Sequence, residues 1–436
     1  MTARLVADAE GLAGIRLLEY LPPNMGVQTP EEIHERAAGM VEDLIAALTR
    51  PAPQEARKKP SSAPQSSTGV VFKGDVNEVN EFFRQNVWTD GLPIMPPTAE
   101  EVDAMLAFTD RAPDEVIGVL PPKRLAATVR SVAVNGVMAG CRPEYMPVLL
   151  AVMEAVADPR FCVEDAGSTL GWTPLILLNG PIIEELNFNF GQGLLRPQRQ
   201  ANITVSRFLR LALVNIAGYR VGETDMATFG RNYYPVIAEA EAASPWEPLS
   251  VDRGFARGTN LVTVQSADTV SHAFLTEGNA ECQLHLIAQE VARVLGGPPL
   301  GPLEQFGRET SPILGLTPLI AGIIAKGGYS KADARRAIFE QALIPARQFD
   351  ERLARREQGH NLKESVRRGN LPARFALSED PERLVPVMRR PEDLIILVCG
   401  APERNRSFIA AQMGSQGLNV SREIRLPQDW NARLKR

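Results

Sequence analysis

The sequence predicts a mixed α/β protein made of several domains. Short apolar segments bounded by turn residues, such as TPLILLNGP and LIILVCG, read as strands. Stretches with apolar residues at helical spacing, such as TPEEIHERAAGMVEDLIAAL and AECQLHLIAQEVARVL, alternate with them. At 436 residues, 44% hydrophobic and 23% charged, the chain can bury sizeable cores.

The first unit, residues 1–50, opens with a strand candidate, IRLLEYL, followed by a helix at Thr29, Pro30 and Glu32, which supply an N-cap, an N1 proline and a capping-box acid. Ile33, Ala37, Met40, Val41, Leu44, Ile45 and Leu48 share one helix face. One strand and one helix cannot form a core of their own, so this face is expected to pack on the rest of the chain or to complete a sheet in another polypeptide. Residues 51–69, PAPQEARKKPSSAPQSSTG, are too poor in large apolar groups to fold and read as a linker.

A main α/β domain is expected over 70–252 and a C-terminal α/β domain over 253–436. The latter begins with the strand NLVTVQS and continues with the helix AECQLHLIAQEVARVL and a second helix capped by Ser330. It closes with PEDLIILVCGAPERNRSFIAAQMGSQG, read as a strand, a turn and a helix stopped by glycine.

Net charge is −5 and the pI about 5.7, which argues against a nucleic-acid surface. The one basic stretch, RLARREQGHNLKESVRR, also carries acids and reads as a solvated helix. No apolar run is long enough to span a bilayer, and MTARLVADAEG lacks the pattern of a signal peptide, so the expected location is the cytoplasm. There Cys141, Cys162, Cys282 and Cys399 should be reduced, and none forms a C-x-x-C pair.

Cys141 falls where one apolar helix stops at Gly140 and another starts at Pro143, beside Arg142. A thiol at a helix N-terminus next to a guanidinium should titrate below the free value of about 8.5, which makes Cys141 the candidate nucleophile or redox thiol. Cys399 ends the strand LIILVCG, the address at which open α/β sheets bind ligands, and is the candidate second thiol. Acids around Cys162 set it aside. Between residues 167 and 211, Asn179, Gly180, Arg199, Asn202 and Arg207 could orient an anionic substrate by charge-assisted hydrogen bonds, with Arg142 adding charge. No phosphate loop or dinucleotide fingerprint is present. Glu239 and Glu241 form a carboxylate pair near a tryptophan, equally readable as ordinary loop acids.

An alternative set is His272, Glu281, Cys282 and His285, which could bind zinc or iron in a lyase or hydrolase although their spacing matches no metal signature. The thiol reading requires no cofactor.

The strings WTDGLPIMPPT, AVNGVMAGCRPEYMPVLLAV, LLNGPI, ANITVSRFLRLALVNIAG and SPWEPL, within roughly residues 70 to 255, resemble a bacterial family that accompanies the UGSC-type selenoprotein and cysteine-homologue domain. LPPNMGVQTPEEIHERA resembles the closing strand and helix of that domain, whose reactive motif is absent here. The resemblance implies thiol or selenol chemistry on a small molecule, a redox or cleavage reaction, and points to Cys141, Asn179, Gly180, Asn202 and Arg207. It also implies a small partner subunit carrying a Sec-Gly-Ser-Cys or Cys-Gly-Ser-Cys segment. A third expectation is a non-catalytic scaffold that docks such a partner through the N-terminal strand and helix.

Overall fold

The computed structural model describes residues 15–20, 28–50, 69–197, 199–230, 234–271, 274–296, 310–356, 359–412 and 417–435. The architecture is mixed α/β. In chain order the N-terminal half contains α1 (Pro30–Gly39), α2 (Val41–Thr49), α3 (Val76–Gln85), α4 (Ala99–Leu106), the hairpin β1 (Val116–Leu120) and β2 (Leu125–Thr128), α5 (Val129–Ala139), α6 (Met146–Val156), β3 (Thr173–Asn179), α7 (Gln200–Ala212) and β4 (Val236–Ala238). The C-terminal half adds β5 (Leu261–Ala267), β6 (Thr269–Val270), β7 (Phe274–Leu275), α8 (Ala280–Leu295), β8 (Ile313–Leu316), α9 (Pro318–Lys326) and α10 (Lys331–Gln341). It ends with β9 (Leu343–Pro345), α11 (Ala346–Arg356), β10 (Leu384–Pro386), β11 (Ile395–Val398), β12 (Arg406–Ala411) and β13 (Val420–Glu423).

Two sheets stack face to face between two helical layers. The first sheet has the order β13-β5-β3-β4, with β3 antiparallel to β5 from Thr173 opposite Ala267 to Asn179 opposite Leu261, and parallel to β4. The second has the order β11-β8-β12-β6, with β11 and β8 parallel and β12 antiparallel to β8. Strand alternation assigns each side chain to a layer. Ile176 and Leu178 of β3 join the helical core with Met146, Leu149 and Phe208, while Leu175 and Leu177 face Ile313, Ile395, Leu397 and Cys399 across the sheet interface. Leu314, Leu316, Ile396 and Val398 point the other way, onto α8, α9 and α10. Phe208 is fully buried, and its truncation to Ala would cost roughly 3–5 kcal/mol.

This layout revises several sequence expectations. Strands from both halves build the first sheet, so the boundary drawn at 252/253 cuts through a hydrogen-bonded unit. RSFIAA, read as a helix, is strand β12. Its Phe408 ring lies over Gly315, where any Cβ would sit 2.0 Å from the ring, so β12 packs on β8 as closely as glycine allows. Residues 15–20 take no regular structure, against the expected strand. The helix capped by Thr29 has its complete capping box but breaks at Met40 into α1 and α2, neither of which buries a residue. Val41, Leu44, Ile45 and Leu48, which the pattern placed against a core, are exposed. Ser330 caps α10 as expected, NLVTVQS lies in β5, and AECQLHLIAQEVARVL is α8. The 51–69 linker lies outside the described residues except for Gly69. No helix among the described residues is long and apolar enough to cross a membrane.

Candidate functional site

The carboxyl ends of β3, β4 and β11 converge on one cluster. Asn179 ends β3, Glu239 directly follows β4, and Cys399 directly follows β11. Both elements of the pairing are recorded in the backbone, where the Glu239 amide donates to Leu178 and the Ala240 amide to Val398. Asn179 and Glu239 are buried, and Cys399 lies in the layer between the sheets. The Asn179 amide nitrogen donates to Glu239 Oε2 at 2.6 Å and to Glu241 Oε1 at 2.9 Å, and the Gly180 amide donates to the same Glu241 oxygen at 2.7 Å. The Leu249 amide also donates to Glu239 Oε2, at 2.9 Å.

Two oxygens in this cluster have no partner. Glu239 Oε1 and Asn179 Oδ1 are buried and accept no hydrogen bond. Leaving such an atom unpaired costs about 1–3 kcal/mol, so each marks a place where a donor would be stabilised. Desolvation raises the Glu239 carboxyl above its usual range, opposed by nearby Lys331. Lys331 itself bonds Asp252 at 2.7 Å and the Glu247 carbonyl at 3.0 Å, so it acts on Glu239 through its field alone. Burial, reinforced by the charge of Glu239, pushes the Cys399 thiol up to about 12. The cluster is therefore a desolvated thiol and a desolvated carboxyl, electrostatically coupled, with two free acceptor oxygens.

Cys141 lies elsewhere, at the junction of α5 and α6, and the expected thiolate does not form there. Gly140 takes the left-handed conformation, and the amides of Gly140 and Cys141 close back onto Val137 and Gly136. Cys141 thus belongs to the carbonyl end of α5, where the helix dipole disfavours an anion. Arg142, the cation expected beside it, pairs with Glu144 at 2.6 Å. Although the residue keeps partial exposure, its dense surroundings desolvate the thiol and push it up to about 12, outweighing the hydrogen bond to Thr204 and the charge of Arg207.

The anion-binding residues are not assembled into a clamp. Arg207 bonds Asp90 at 3.1 Å and the Pro93 carbonyl at 2.6 Å, and Arg210 shares the same carboxylate. Arg199 caps α7 with its backbone and donates its side chain to Asn187. Asn202 accepts from the Asn189 amide at 2.7 Å and donates at 3.2 Å to the carbonyls of Asn189 and Val236, pinning the loop before α7 to β4. All three serve the framework.

The metal alternative also comes apart among the described residues. His285 uses both ring nitrogens on Gln341 and Gln289, Glu281 and Cys282 lie on the exposed face of α8, and no three His, Cys, Asp or Glu side chains there come together around a metal position. His272 lies outside the described residues.

Comparisons with family models, curated proteins and solved structures return no match. The site therefore rests on geometry. Of the residues singled out in the sequence, the fold brings together Asn179, Gly180, Cys399 and the carboxylate pair, and it leaves Cys141, Arg142, Arg199, Asn202 and Arg207 outside that group. No sequence spacing signals the union of Asn179 with Glu239, 60 residues apart, because β3 and β4 are joined by parallel pairing through a long crossover.

Proposed function

We propose that the chain is a subunit of a cysteine-dependent enzyme that acts on a small molecule at the carboxyl ends of β3, β4 and β11. The observation that carries this reading is the pair of partnerless buried oxygens, on Asn179 and Glu239, beside the Cys399 thiol. Because both orphan atoms accept, the substrate is one that presents N–H or O–H donors, rather than the plain anion expected from the arginines. Glu239 receives the Cys399 proton as the thiol adds to a polarised carbonyl carbon of the substrate. One S–C bond forms, the C=O π bond opens, and Glu239 passes the proton to the resulting oxygen. The buried negative charge moves between groups without a second charge being created, which is how a dry site lowers the cost of making a thiolate. Nothing is oxidised or reduced in this step.

The test is the rate at which methyl methanethiosulfonate modifies Cys399 at pH 7, read by peptide mass spectrometry. A proton-accepting Glu239 predicts that Glu239→Gln slows modification about tenfold or more. If Glu239 only repels the thiolate, the same change lowers the thiol pKa and speeds modification, and that result would end the reading.

A second reading is favoured by the exposed apolar residues of α2. Val41, Leu44, Ile45 and Leu48 offer a face for a partner, consistent with the thiol- or selenol-bearing subunit that the family resemblance implies. In this reading the chain is a scaffold, and deleting residues 1–50 abolishes partner capture while Cys399 and Glu239 substitutions leave the assembled activity unchanged.

A further inference from the structure

Lys331 occupies a position that favours neither its burial nor its charge. It is the first residue of α10, capped by Ser330, where the helix dipole opposes a cation, and it is 7% exposed. Both costs fall on one side chain. What that side chain holds is the segment 246–252, which follows β4. The Trp246 indole donates to the Tyr329 carbonyl at 3.1 Å, and Lys331 Nζ donates to the Glu247 carbonyl at 3.0 Å and pairs with Asp252 at 2.7 Å. Arg335 pairs with the same Asp252 oxygen at 2.6 Å and donates Nε to the Leu394 carbonyl, just before β11, at 2.9 Å. In the middle of the segment the Leu249 amide reaches Glu239 Oε2. Lys331 thus stands one short segment away from the buried carboxyl without touching it.

The charges on the two sides of that segment do not balance separately. Asp252 is one carboxylate among three cations: Lys331 and Arg335 bond it, and Arg253, its Nε buried and unpaired, feels the charge of both Asp252 and Arg335. The cluster is left positive. Glu239 is the reverse. Its hydrogen-bond donors are the neutral amides of Asn179 and Leu249, and the groups that act on it from the other elements are Glu241 and Cys399, both acids. A carboxylate buried in this way needs a counter-charge to stay ionised, yet a cation in direct contact would occupy the oxygen that has to accept a proton.

We propose that Lys331 is a positioning residue of the candidate site: the surplus positive charge around Asp252 keeps Glu239 ionised from a distance and leaves Glu239 Oε1 open to the Cys399 proton. This rests on the proton-accepting role given to Glu239 above. Lys331 is also the largest influence opposing the desolvation that raises the Glu239 carboxyl.

Carbon NMR of the full chain with isotope-labelled glutamate carboxyls reads the Glu239 titration midpoint directly, with Glu239→Gln assigning its resonance. Lys331→Met keeps the apolar stem and removes the charge, and should raise the midpoint by about one pH unit or more. Lys331→Arg keeps the charge and should hold the midpoint within about 0.3 unit. A purely structural lysine predicts the opposite sign, because water entering a loosened site relieves desolvation and lowers the midpoint. Should Lys331→Met fold poorly, Arg335→Met withdraws a charge from the same cluster and should raise the midpoint by a smaller amount. A midpoint unmoved or lowered in the folded charge-removing variant, or a rise as large in Lys331→Arg, would overturn the proposal. Methyl methanethiosulfonate modification of Cys399 tells this failure from that of the underlying reading. If Glu239→Gln slows modification and the midpoint ignores Lys331, the Lys331 proposal alone falls; if Lys331→Met raises the midpoint and Glu239→Gln does not slow modification, the counter-charge is upheld and proton acceptance by Glu239 falls.

Discussion

Cys141 and Cys399 end in the same condition by opposite routes. Both thiols are desolvated and pushed up to about 12, yet Cys141 sits near a cation and a hydroxyl that pull its pKa down, and Cys399 near a carboxylate that pushes it further up. Burial is the larger effect in both places, opposed by the neighbouring groups at Cys141 and reinforced by the neighbouring charge at Cys399. The difference lies in what a ligand could change. At Cys141 the nearby polar groups are already committed, with Arg207 bound to Asp90 and Thr204 also bound to the Gln200 carbonyl. At Cys399 two oxygens stay unpaired, so the environment is incomplete without a donor.

The strongest way to disturb the Cys141 side is Asp90→Ala. The Asp90 side chain is 2% exposed and balances two guanidinium groups, and its removal should cost roughly 3–5 kcal/mol, read as a lower urea midpoint. The same change should speed Cys141 alkylation, because Arg207 loses its counter-charge, and leave Cys399 as it was. A stability near wild type would mean that solvent reaches the triad.

Next in size is the Glu239→Gln effect on Cys399, about tenfold or more, with Cys141 as the internal control. If both thiols slow together, the variant has altered packing and not a local proton acceptor.

The pH dependence of stability follows from the same carboxyl. Because burial raises the folded pKa of Glu239, the folded state holds that proton more tightly than the unfolded chain. Its contribution is full below the unfolded value of about 4.3 and is lost as pH rises through the raised folded value. Glu239→Gln should therefore gain stability over wild type near neutral pH, with the gap closing on acidification. A gap that widens toward low pH would reverse the sign and place a charged partner on Glu239.

A smaller effect separates the two thiols by hydrogen bonding. Thr204→Val removes the bond to Cys141 and should slow its alkylation roughly two- to tenfold, leaving Cys399 untouched. Exposed Cys282 should label first in every variant, which calibrates the reagent.

Much of the local structure was legible in the sequence because its causes are local. Thr29 and Ser330 announce their helices through side chains that bond amides three residues on, and Gly140 stops α5 by its left-handed backbone. TPLILLNGP, NLVTVQS and LIILVCG are strands because short, fully apolar or β-branched runs between turn residues suit a sheet buried on both faces. RSFIAA escaped that reading because its small residues suit either state, and it is the pairing with β8, β6 and β7, with Phe408 laid over Gly315, that makes it a strand.

What the sequence determined, then, is the mixed α/β class, several of the helices, the strands β3, β5 and β11, and the placing of Asn179 and Cys399 at strand ends. The tertiary structure alone decided which strand ends meet, since the pairing of β3 with β4 and the stacking of the two sheets join residues 60 and more apart. It also decided the fate of the charges. Whether Arg142 or Arg207 faces Cys141, and whether Glu239 is solvated or dry, depends on packing between distant segments, because desolvation is set by everything that surrounds a group and not by its neighbours along the chain.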